Sequence, residues 1–463
     1  MYNRGMKKTK CRFLTALVLA RCSIVALKLL KRNGTHYPGY IALKFCPEFL
    51  SHLKPAPKVI AITGTNGKTT TSNLILDVLK QTNLKIAHNS LGSNIQEGII
   101  TTLLKSTSFF GTKSLVDLLI LEVDERVSPK IYPNIQPDWL VITNLFRDSY
   151  RRNAHAEFIS DILEASIPNK TKLIVNADDV ISSYLCPNLD RYTFGIARLE
   201  GEEEVRDSLI KDVVYCPKCD HKLTYAFNRY HHMGHVYCPK CGFTNLETDL
   251  QIIKVDDHVH VLKEDRVYLF PKIGDNITDL YNTIAAIALC VDFGLSMETI
   301  QVYFSSLKVV NSRFDVSSCK GKNIIVMMAK DQNPIAVSRV FDYIRKQNTR
   351  KTAVIFINEN SEHHTGSENN AWYYDADFEY LNQAHITQII PGGHRVLDFK
   401  VRCLLADIPE SKLFLSSTEL RTAEHVQWAK VDDVYICFGT KTEAEALAIK
   451  ARLLERIEKE IRV

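Results

Sequence analysis

Residues 59–79, VIAITGTNGKTTTSNLILDVL, carry the most informative pattern in the sequence. The stretch begins with a short apolar run, Val59–Thr63, of the kind that forms a buried strand, and it continues into a segment with apolar residues at helical spacing, Thr69–Gln81. The glycine-rich segment between them lets backbone N–H groups approach phosphate oxygens, and the start of the helix adds the positive end of its dipole. The stretch therefore predicts an α/β fold that binds nucleotide phosphates.

The side chains of this phosphate loop (residues 63–70) have separate expected roles. The loop is shorter than the strict Walker pattern, since Gly64 and Gly67 flank only Thr-Asn. Lys68 is expected to reach the β- and γ-phosphates of ATP, and the hydroxyl of Thr69 is expected to bind Mg²⁺. The predicted ATP-binding residues of the loop are Thr63, Gly64, Thr65, Asn66, Gly67, Lys68, Thr69 and Thr70.

A second apolar run ends in acidic residues and supplies candidate Mg²⁺ ligands. The run Leu119–Leu121 is followed by Glu122, Val123 and Asp124. Residues two apart in a strand point to the same face, and Mg²⁺ prefers oxygen ligands. We therefore expect Glu122 and Asp124 to bind Mg²⁺ together with Thr69; the alternative is a solvated acidic strand end.

The remaining pattern predicts two α/β units. Strand-like runs at Trp139–Thr143 and Lys172–Val175, with helices between them, indicate a parallel, doubly wound sheet. The pattern is interrupted at about 210–250 and resumes with a helix at Leu280–Phe293. A second unit begins near Gly321, with strand-like runs between helices. We expect an N-terminal helix and linker at 1–50, an ATP-binding domain at 51–318 and a smaller α/β domain at 319–463.

The interruption is a four-cysteine insert (about residues 210–250). Cys216-Pro-Lys-Cys219 and Cys238-Pro-Lys-Cys241 are separated by eighteen residues. Two such Cys-x-x-Cys turns complete a tetrahedral, all-sulfur Zn²⁺ site, which would be structural because no position is left for water. The histidines between the pairs are expected to be solvated loop residues, with a ligand role as the alternative; they are His221, His231, His232 and His235.

Composition restricts the class of protein. The chain has 463 residues, 45% hydrophobic and 24% charged, which fits a globular protein of two or three domains. A net charge of +5 is modest for this length and does not indicate a nucleic-acid partner. The eight cysteines outside the insert are scattered, which is typical of free thiols in a reducing compartment. We therefore expect a cytoplasmic protein.

The N-terminal region is basic and partly apolar. Residues 1–47 contain no Asp or Glu, and the apolar run Phe13–Leu30 is broken only by Arg21 and Lys28. Those two charges argue against a membrane-spanning helix, and a signal peptide would need a cleavage site that is missing here. An amphipathic helix is favoured, either packed on the body of the protein or in contact with the inner face of the membrane.

Several of these segments resemble the Mur ligase family, which includes the folylpolyglutamate synthases. TGTNGKTTT after a strand is similar to the ATP loop of that family. Further similar segments are Leu121–Val123, Thr143–Asp148, Asn176–Asp179, Asn282 followed by Ala285-Ala286, and Arg313. Members form an acyl phosphate from a carboxylate and ATP, and an amine then attacks it. The resemblance implies ATP and Mg²⁺ as cofactors, with Asn282 and Arg313 as further ATP-binding residues.

Within this family, the chain is similar to the MurT branch. The similar segments are the basic N-terminal helix with Pro38–Leu43, the four-cysteine insert, Asn333-Pro334 and Trp372–Glu379. The branch implies a GatD-like glutamine amidotransferase partner that supplies ammonia. The implied reaction is amidation of the D-glutamate α-carboxylate in lipid II or a related muropeptide. An aspartate that completes the partner's catalytic triad is also implied; Asn369 occupies its position, or Asp375 if the alignment shifts.

Two segments depart from the MurT pattern. Ser149–Asn153 replaces Gln-Leu-Asp-Arg-Tyr, and Arg313 is flanked by Asn311-Ser312 and Phe314-Asp315 in place of Gly and Glu. Two other functions therefore stay open at this point. One is a stand-alone amino-acid ligase of the Mur or folylpolyglutamate type, and the other is a nucleotide-binding regulatory subunit without turnover.

Overall fold

The computed structural model describes residues 2–89, 93–147, 155–202, 208–274, 276–307, 314–330, 332–347, 350–357 and 371–461. Side chains are described from residue 11 onward, except that of Phe314. The chain divides into two compact units. The first comprises residues 1–147, 155–205 and 213–310, and the second comprises 148–154, 206–212 and 311–463.

The first unit is built on a large, mostly parallel sheet. Its helices are α1 (Tyr2–Leu29), α2 (Tyr37–Phe45), α3 (Lys68–Leu79), α4 (Gln96–Lys105), α5 (Ser128–Ile135), α6 (Ala156–Ser166), α7 (Val180–Ser183), α8 (Ile277–Asp292) and α9 (Met297–Ser305). Its strands are β1 (Lys58–Thr63), β2 (Ile86–His88), β3 (Leu118–Glu122), β4 (Trp139–Ile142), β5 (Lys172–Asn176), β6 (Arg191–Ile196), β7 (Thr224–Tyr230), β8 (Met233–Tyr237), β9 (Leu250–Val255), β10 (His258–Lys263) and β11 (Arg266–Pro271).

Nine of these strands form one sheet in the order β11-β10-β9-β6-β5-β4-β1-β3-β2. Pairing is parallel from β2 to β9, and β10 and β11 add an antiparallel edge. β1 and β3 lie side by side, with Ile62 opposite Glu122, and β4 lies on the other side of β1. The predicted parallel sheet is confirmed, and its order places the ends of β1, β3 and β4 next to one another.

The second unit is a five-stranded sheet with helices. Its strands are β12 (Phe314–Cys319), β13 (Lys322–Met328), β14 (Thr352–Ile357), β15 (Ile386–Gly392) and β16 (Asp433–Phe438), and its helices are α10 (Pro334–Lys346), α11 (Trp372–Asp375), α12 (Val396–Leu405) and α13 (Glu443–Glu460). The strand order is β12-β13-β16-β14-β15, parallel except for the hairpin of β12 and β13. The second unit is therefore also of the α/β class.

The segment 35–57, which its four prolines suggest is a linker, is structured instead. It contains α2 and a 3₁₀ turn at Phe49–His52, and Pro38, Gly39 and Ala42 are buried. Pro38 lies in the first turn of α2, where its missing N–H leaves no helical hydrogen bond unmade. The linker prediction was wrong because proline at a helix start does not interrupt the helix.

Helix α1 packs on the body of the first unit. Phe13, Ala16, Leu17 and Ala20 are buried in the main core cluster. Arg21 is also buried, and its guanidinium donates to the carbonyl of Leu104, the hydroxyl of Thr107 and the carbonyl of Ser108. No helix in the described part of the chain is long and apolar enough to cross a membrane.

Candidate functional site

The phosphate loop lies between β1 and α3, and its two glycines are sterically required. Gly64 has φ +126° and Gly67 has φ +88°, in the left-handed region that favours glycine. A Cβ atom on Gly64 would lie 2.2 Å from Thr143 Oγ1, and one on Gly67 would lie 2.1 Å from Asn282 Oδ1. The loop therefore packs directly against two other segments of the chain, and a side chain at either glycine would displace them.

The segment after β4 holds the phosphate loop in place. Asn144 accepts from the N–H of Asn66 at 3.0 Å and donates to the carbonyl of Asn66 at 3.0 Å through its side-chain amide. The hydroxyl of Thr143 donates to the same carbonyl at 2.7 Å. The hydroxyl of Thr65 accepts from the N–H of Phe146 at 2.9 Å. These side-chain bonds hold the loop in one conformation, which is the preorganisation that phosphate binding needs.

Lys68 begins α3 and lies among carboxylates. Its Nζ donates to the carbonyl of Gly64 and lies 3.1 Å from Glu125 Oε1. Burial lowers the pKa of Lys68, but the negative charges of Glu125, Asp124 and Glu122 outweigh burial, so the pKa is raised and the ammonium group stays charged. Glu125 was not predicted as a site residue from the sequence, because strand alternation indicates only Glu122 and Asp124.

Thr69 and Glu122 form the oxygen pair expected of a Mg²⁺ site. The hydroxyl of Thr69 donates to Glu122 Oε2 at 2.8 Å, and Asn94 Nδ2 donates to Oε1 at 3.1 Å. Asn89 fixes the backbone of Glu122 through both its N–H and its carbonyl. Adjacent ligands of an octahedral Mg²⁺ with bonds near 2.1 Å lie about 3.0 Å apart, so the two oxygens could occupy neighbouring positions.

Asp124 does not share a strand face with Glu122. Strand β3 ends at Glu122, and Asp124 lies in the following turn, where its Oδ1 accepts from the N–H of Arg126 at 3.1 Å. The argument from strand alternation was therefore wrong for this residue. Asp124 contributes negative charge near Lys68, and its role as a Mg²⁺ ligand stays a prediction.

Four predicted site residues remain, and the structure describes two of them, Asn282 and Asp375. Asn282 lies in α8, is 3% exposed, and accepts from the hydroxyl of Thr71 at 3.3 Å. It thus contacts the phosphate loop and the first turn of α3, and an adenine contact stays a prediction. Asp375 ends α11 in the second unit, next to the buried Trp372 and Tyr373. Arg313 and Asn369 lie outside the described residues.

The four cysteines of the insert converge. Their Sγ atoms all lie within 4.8 Å of one another, with Cys216 and Cys241 at 3.5 Å and Cys219 and Cys238 at 3.5 Å. Sulfurs at tetrahedral positions around Zn²⁺ lie about 3.8 Å apart, given Zn–S bonds near 2.3 Å. The cluster therefore has the size of the predicted zinc site.

The tip of the β7–β8 hairpin is buried, which contradicts the expectation of solvated histidines there. His231 is 5% exposed and His232 is 1% exposed. His232 Nε2 lies 3.0 Å from Asp179 Oδ1, and the other oxygen of Asp179 accepts from the N–H of Leu145 at 2.7 Å. The rings of His232 and Phe146 are 4.6 Å apart. The tip thus packs against the segment that holds the phosphate loop.

A second contact of the hairpin passes through Arg229. This arginine is 2% exposed, and its guanidinium donates to both carboxylate oxygens of Glu202 at 2.7 and 2.9 Å. It also lies 3.3 Å from Asp178 Oδ2, to which the hydroxyl of Tyr281 donates at 2.6 Å. Tyr281 precedes Asn282 in α8. Arg229 was not predicted from the sequence, because it belongs to no motif. The acidic residues after β5, Asp178 and Asp179, were the only sequence feature that indicated a buried cationic partner.

Comparisons with known proteins identify the family of the chain. The Mur ligase middle domain model matches residues 62–223, and the MurT ligase C-terminal model matches residues 331–442. The lipid II isoglutaminyl synthase (glutamine-hydrolyzing) subunit MurT of Staphylococcus aureus (strain COL) is 30% identical over 398 residues, which cover 85% of this chain and 88% of the relative. The chain belongs to the MurT family. The predicted family is thereby confirmed.

Further relatives support the same assignment. The MurT subunit of Streptococcus pneumoniae (strain ATCC BAA-255 / R6) is 27% identical over 417 residues, covering 89% of this chain and 90% of the relative. A pseudomurein peptide ligase type C from Methanothermus fervidus matches with a TM-score of 0.64 and 20% identity, covering 89% of this chain and 81% of that one. MurF from Thermotoga maritima in complex with ADP matches with a TM-score of 0.55 and 15% identity, covering 92% of this chain and 85% of that one.

The structural matches establish the Mur ligase fold. A MurT-family chain is an ATP-dependent ligase of peptidoglycan synthesis, and membership of the Mur ligase family implies ATP and Mg²⁺. The phosphate loop, Lys68 and the Thr69–Glu122 pair are the residues that could hold ATP and Mg²⁺.

Gly67→Ala is expected to weaken nucleotide binding. The new Cβ would meet Asn282 in a left-handed backbone, so that the loop must shift. Such strain costs on the order of 1–3 kcal/mol, which corresponds to a rise of about 5- to 150-fold in the dissociation constant for ADP, measured by calorimetry.

Gly294→Ala is the matched control. Gly294 also has a positive φ, +109°, but a Cβ there would meet nothing within 4 Å. This variant should bind ADP as the wild type does. Equal ADP affinities for the two variants would show that the contact between the loop and Asn282 is unimportant for binding.

Proposed function

We propose that this MurT-family chain activates the D-glutamate α-carboxylate of the lipid II stem peptide as an acyl phosphate. Ammonia then converts it to D-isoglutamine. The observation that carries the proposal is the fixed phosphate loop with Lys68 and the Thr69–Glu122 pair, found in a MurT-family chain. The names of the relatives, which specify lipid II and glutamine hydrolysis, support the substrate and the nitrogen source.

In the proposed reaction, a carboxylate oxygen attacks the γ-phosphorus of ATP and the bond to the β–γ bridging oxygen breaks, releasing ADP. Ammonia attacks the acyl carbon, loses a proton, and expels phosphate that retains the former carboxylate oxygen. Lys68 would exchange its contact with Glu125 for the γ-phosphate, where its charge opposes the developing negative charge. Mg²⁺, held by Thr69 and Glu122, would supply further charge neutralisation.

The proposed partner is a GatD-like glutamine amidotransferase that releases the ammonia. The MurT relatives are named as subunits of a glutamine-hydrolyzing enzyme, which supports a partner of this class. Asp375 is the described candidate for the aspartate that completes the partner's triad, since it follows the buried Trp372 and Tyr373. Asn369 is the other candidate.

The proposed location is the cytoplasmic face of the membrane. The proposed substrate carries a lipid, and the N-terminal 47 residues contain no acidic side chain. Such a segment is attracted to anionic lipid headgroups.

We also propose that the four-cysteine insert holds structural Zn²⁺ through Cys216, Cys219, Cys238 and Cys241. The convergence of the four sulfurs supports this. Cys241→Ser should remove the metal and lower the melting temperature, because structural zinc contributes to the free energy of folding. Elemental analysis and thermal unfolding check this. Cys22→Ser, at an exposed cysteine of α1, should change neither measurement. Full metal content in Cys241→Ser would refute the assignment.

Asp375→Ala is expected to separate the two nitrogen sources. If Asp375 completes the partner's triad, the variant should lose glutamine-dependent amidation and keep amidation from added ammonium. Mass spectrometry of the peptide product measures both rates in the complex with the partner. Asn369→Ala is the parallel variant, and loss of glutamine use there alone would assign the role to Asn369. Loss of the ammonium rate in Asp375→Ala would exclude a role confined to the partner.

Lys68→Ala should abolish ATP turnover. With lipid II and the partner, wild-type protein should release phosphate from ATP when glutamine or ammonium is added. In Lys68→Ala the rate of phosphate release should be about a hundredfold or more lower, because a positive charge at the γ-phosphate is lost. Lys80→Ala, at an exposed lysine after α3, is the control. Both variants should keep the wild-type metal content.

Three results would contradict the proposal. Retained turnover in Lys68→Ala would mean that the phosphate site is elsewhere. Stimulation by an amino acid, and by neither glutamine nor ammonium, would indicate a stand-alone ligase. Absence of turnover under every condition would indicate a regulatory subunit.

A further inference from the structure

Helix α1 has two faces of different character. The inner face is buried, as described above, and includes Arg21. The outer face is exposed and almost entirely apolar between residues 13 and 27, because Arg21 is the only charged residue in that range and it points inward. The exposed large apolar residues of the helix are Leu14, Val18, Leu19, Val25 and Leu29.

Four of these residues form a stripe. Leu14, Val18, Val25 and Leu29 are 50%, 44%, 47% and 79% exposed, and they are spaced by four, seven and four residues. This spacing keeps them on one side of an α-helix. Single exposed apolar residues are normal on protein surfaces, but a continuous exposed stripe indicates a binding surface.

The ends of the stripe are basic. Arg12 precedes it, Lys28 lies beside its last residue, and Lys31 and Arg32 follow it; all four are exposed. Because residues 1–47 contain no Asp or Glu, neither α1 nor α2 carries an acidic side chain. An apolar helix face with basic residues beside it is the composition of helices that lie in an anionic membrane surface.

Exposed aromatic side chains lie on α2 and on the loop after α4, two of the segments that α1 contacts. Tyr37 and Tyr40 of α2 are 55% and 51% exposed, with ring centroids 6.4 Å apart. The loop that Arg21 contacts continues into Phe109 and Phe110, which are 43% and 80% exposed. Aromatic rings of this kind are favoured at the level of lipid headgroups.

We propose that the outer face of α1 is a docking surface for an anionic phospholipid bilayer, with the helix lying in the plane of the interface. A spanning orientation is excluded because the buried guanidinium of Arg21 fixes the inner face to the protein. A second copy of the chain is disfavoured as the occupant, since two α1 faces would bring basic residues against basic residues. The inference deepens the proposed function by naming the surface that brings the active site to a lipid-borne substrate.

Vesicle flotation of the full-length chain, without ATP or lipid II, tests this surface. The wild type should float with vesicles of 70% phosphatidylcholine and 30% phosphatidylglycerol, and much less with phosphatidylcholine alone. The variant Leu14→Gln/Val18→Gln/Val25→Gln should bind the anionic vesicles about tenfold or more weakly, since three apolar contacts with the lipid are lost. Val302→Gln, at a 67% exposed valine of α9, should bind as the wild type does.

Several outcomes would overturn the docking surface. They are failure of the wild type to bind anionic vesicles, equal binding by the triple variant, and a wild type that is a dimer which the triple variant converts to a monomer. Circular dichroism of the triple variant should match the wild type, since the substituted residues are exposed. Lys68→Ala should float as the wild type does, so a failure of docking and a failure of the proposed chemistry are distinguished.

Discussion

The close packing of the phosphate loop against Thr143 and Asn282 is the constraint on which the first unit depends. Gly64 and Gly67 leave no space for a side chain on either side. The loop keeps its shape only if the end of β4 and the middle of α8 are held at fixed distances from it. Both are held in turn by the four-cysteine insert. His232 contacts Asp179, which accepts from the N–H of Leu145 after β4. Arg229 contacts Asp178, which accepts from the hydroxyl of Tyr281 in α8. The insert is therefore connected to the nucleotide site by two buried polar routes.

Charge balance is the second requirement of the site. A buried ammonium group is costly unless it is paired, and Lys68 is paired with Glu125 in a field that Asp124 and Glu122 make more negative. The same carboxylates are unfavourable neighbours for phosphate unless a cation separates them. Lys68 and the Mg²⁺ that Thr69 and Glu122 would hold provide that separation, which explains why acids and a phosphate loop occur together at the ends of β1 and β3.

The sequence alone was sufficient to predict the features that depend on local residue patterns. The phosphate loop, the strands around it and the four-cysteine cluster all follow from spacing and periodicity within short windows. Features set by contacts between distant segments were not predictable in this way. The burial of His232 depends on Asp179 and Phe146, the pairing of Lys68 depends on a turn after β3, and α2 was hidden by a proline at its start. The antiparallel edge of β10 and β11 likewise carries no motif.

In the proposed reaction, the carboxylate of the substrate is activated by transfer of the γ-phosphoryl group to it. The most direct measurement uses lipid II whose D-glutamate α-carboxylate is labelled with ¹⁸O, amidated by the complex with ATP and ammonium. Mass spectrometry of the released phosphate should find one ¹⁸O atom transferred for each amide formed. Amide formation with unlabelled phosphate would contradict an acyl phosphate and, with it, the proposed role of the phosphate loop.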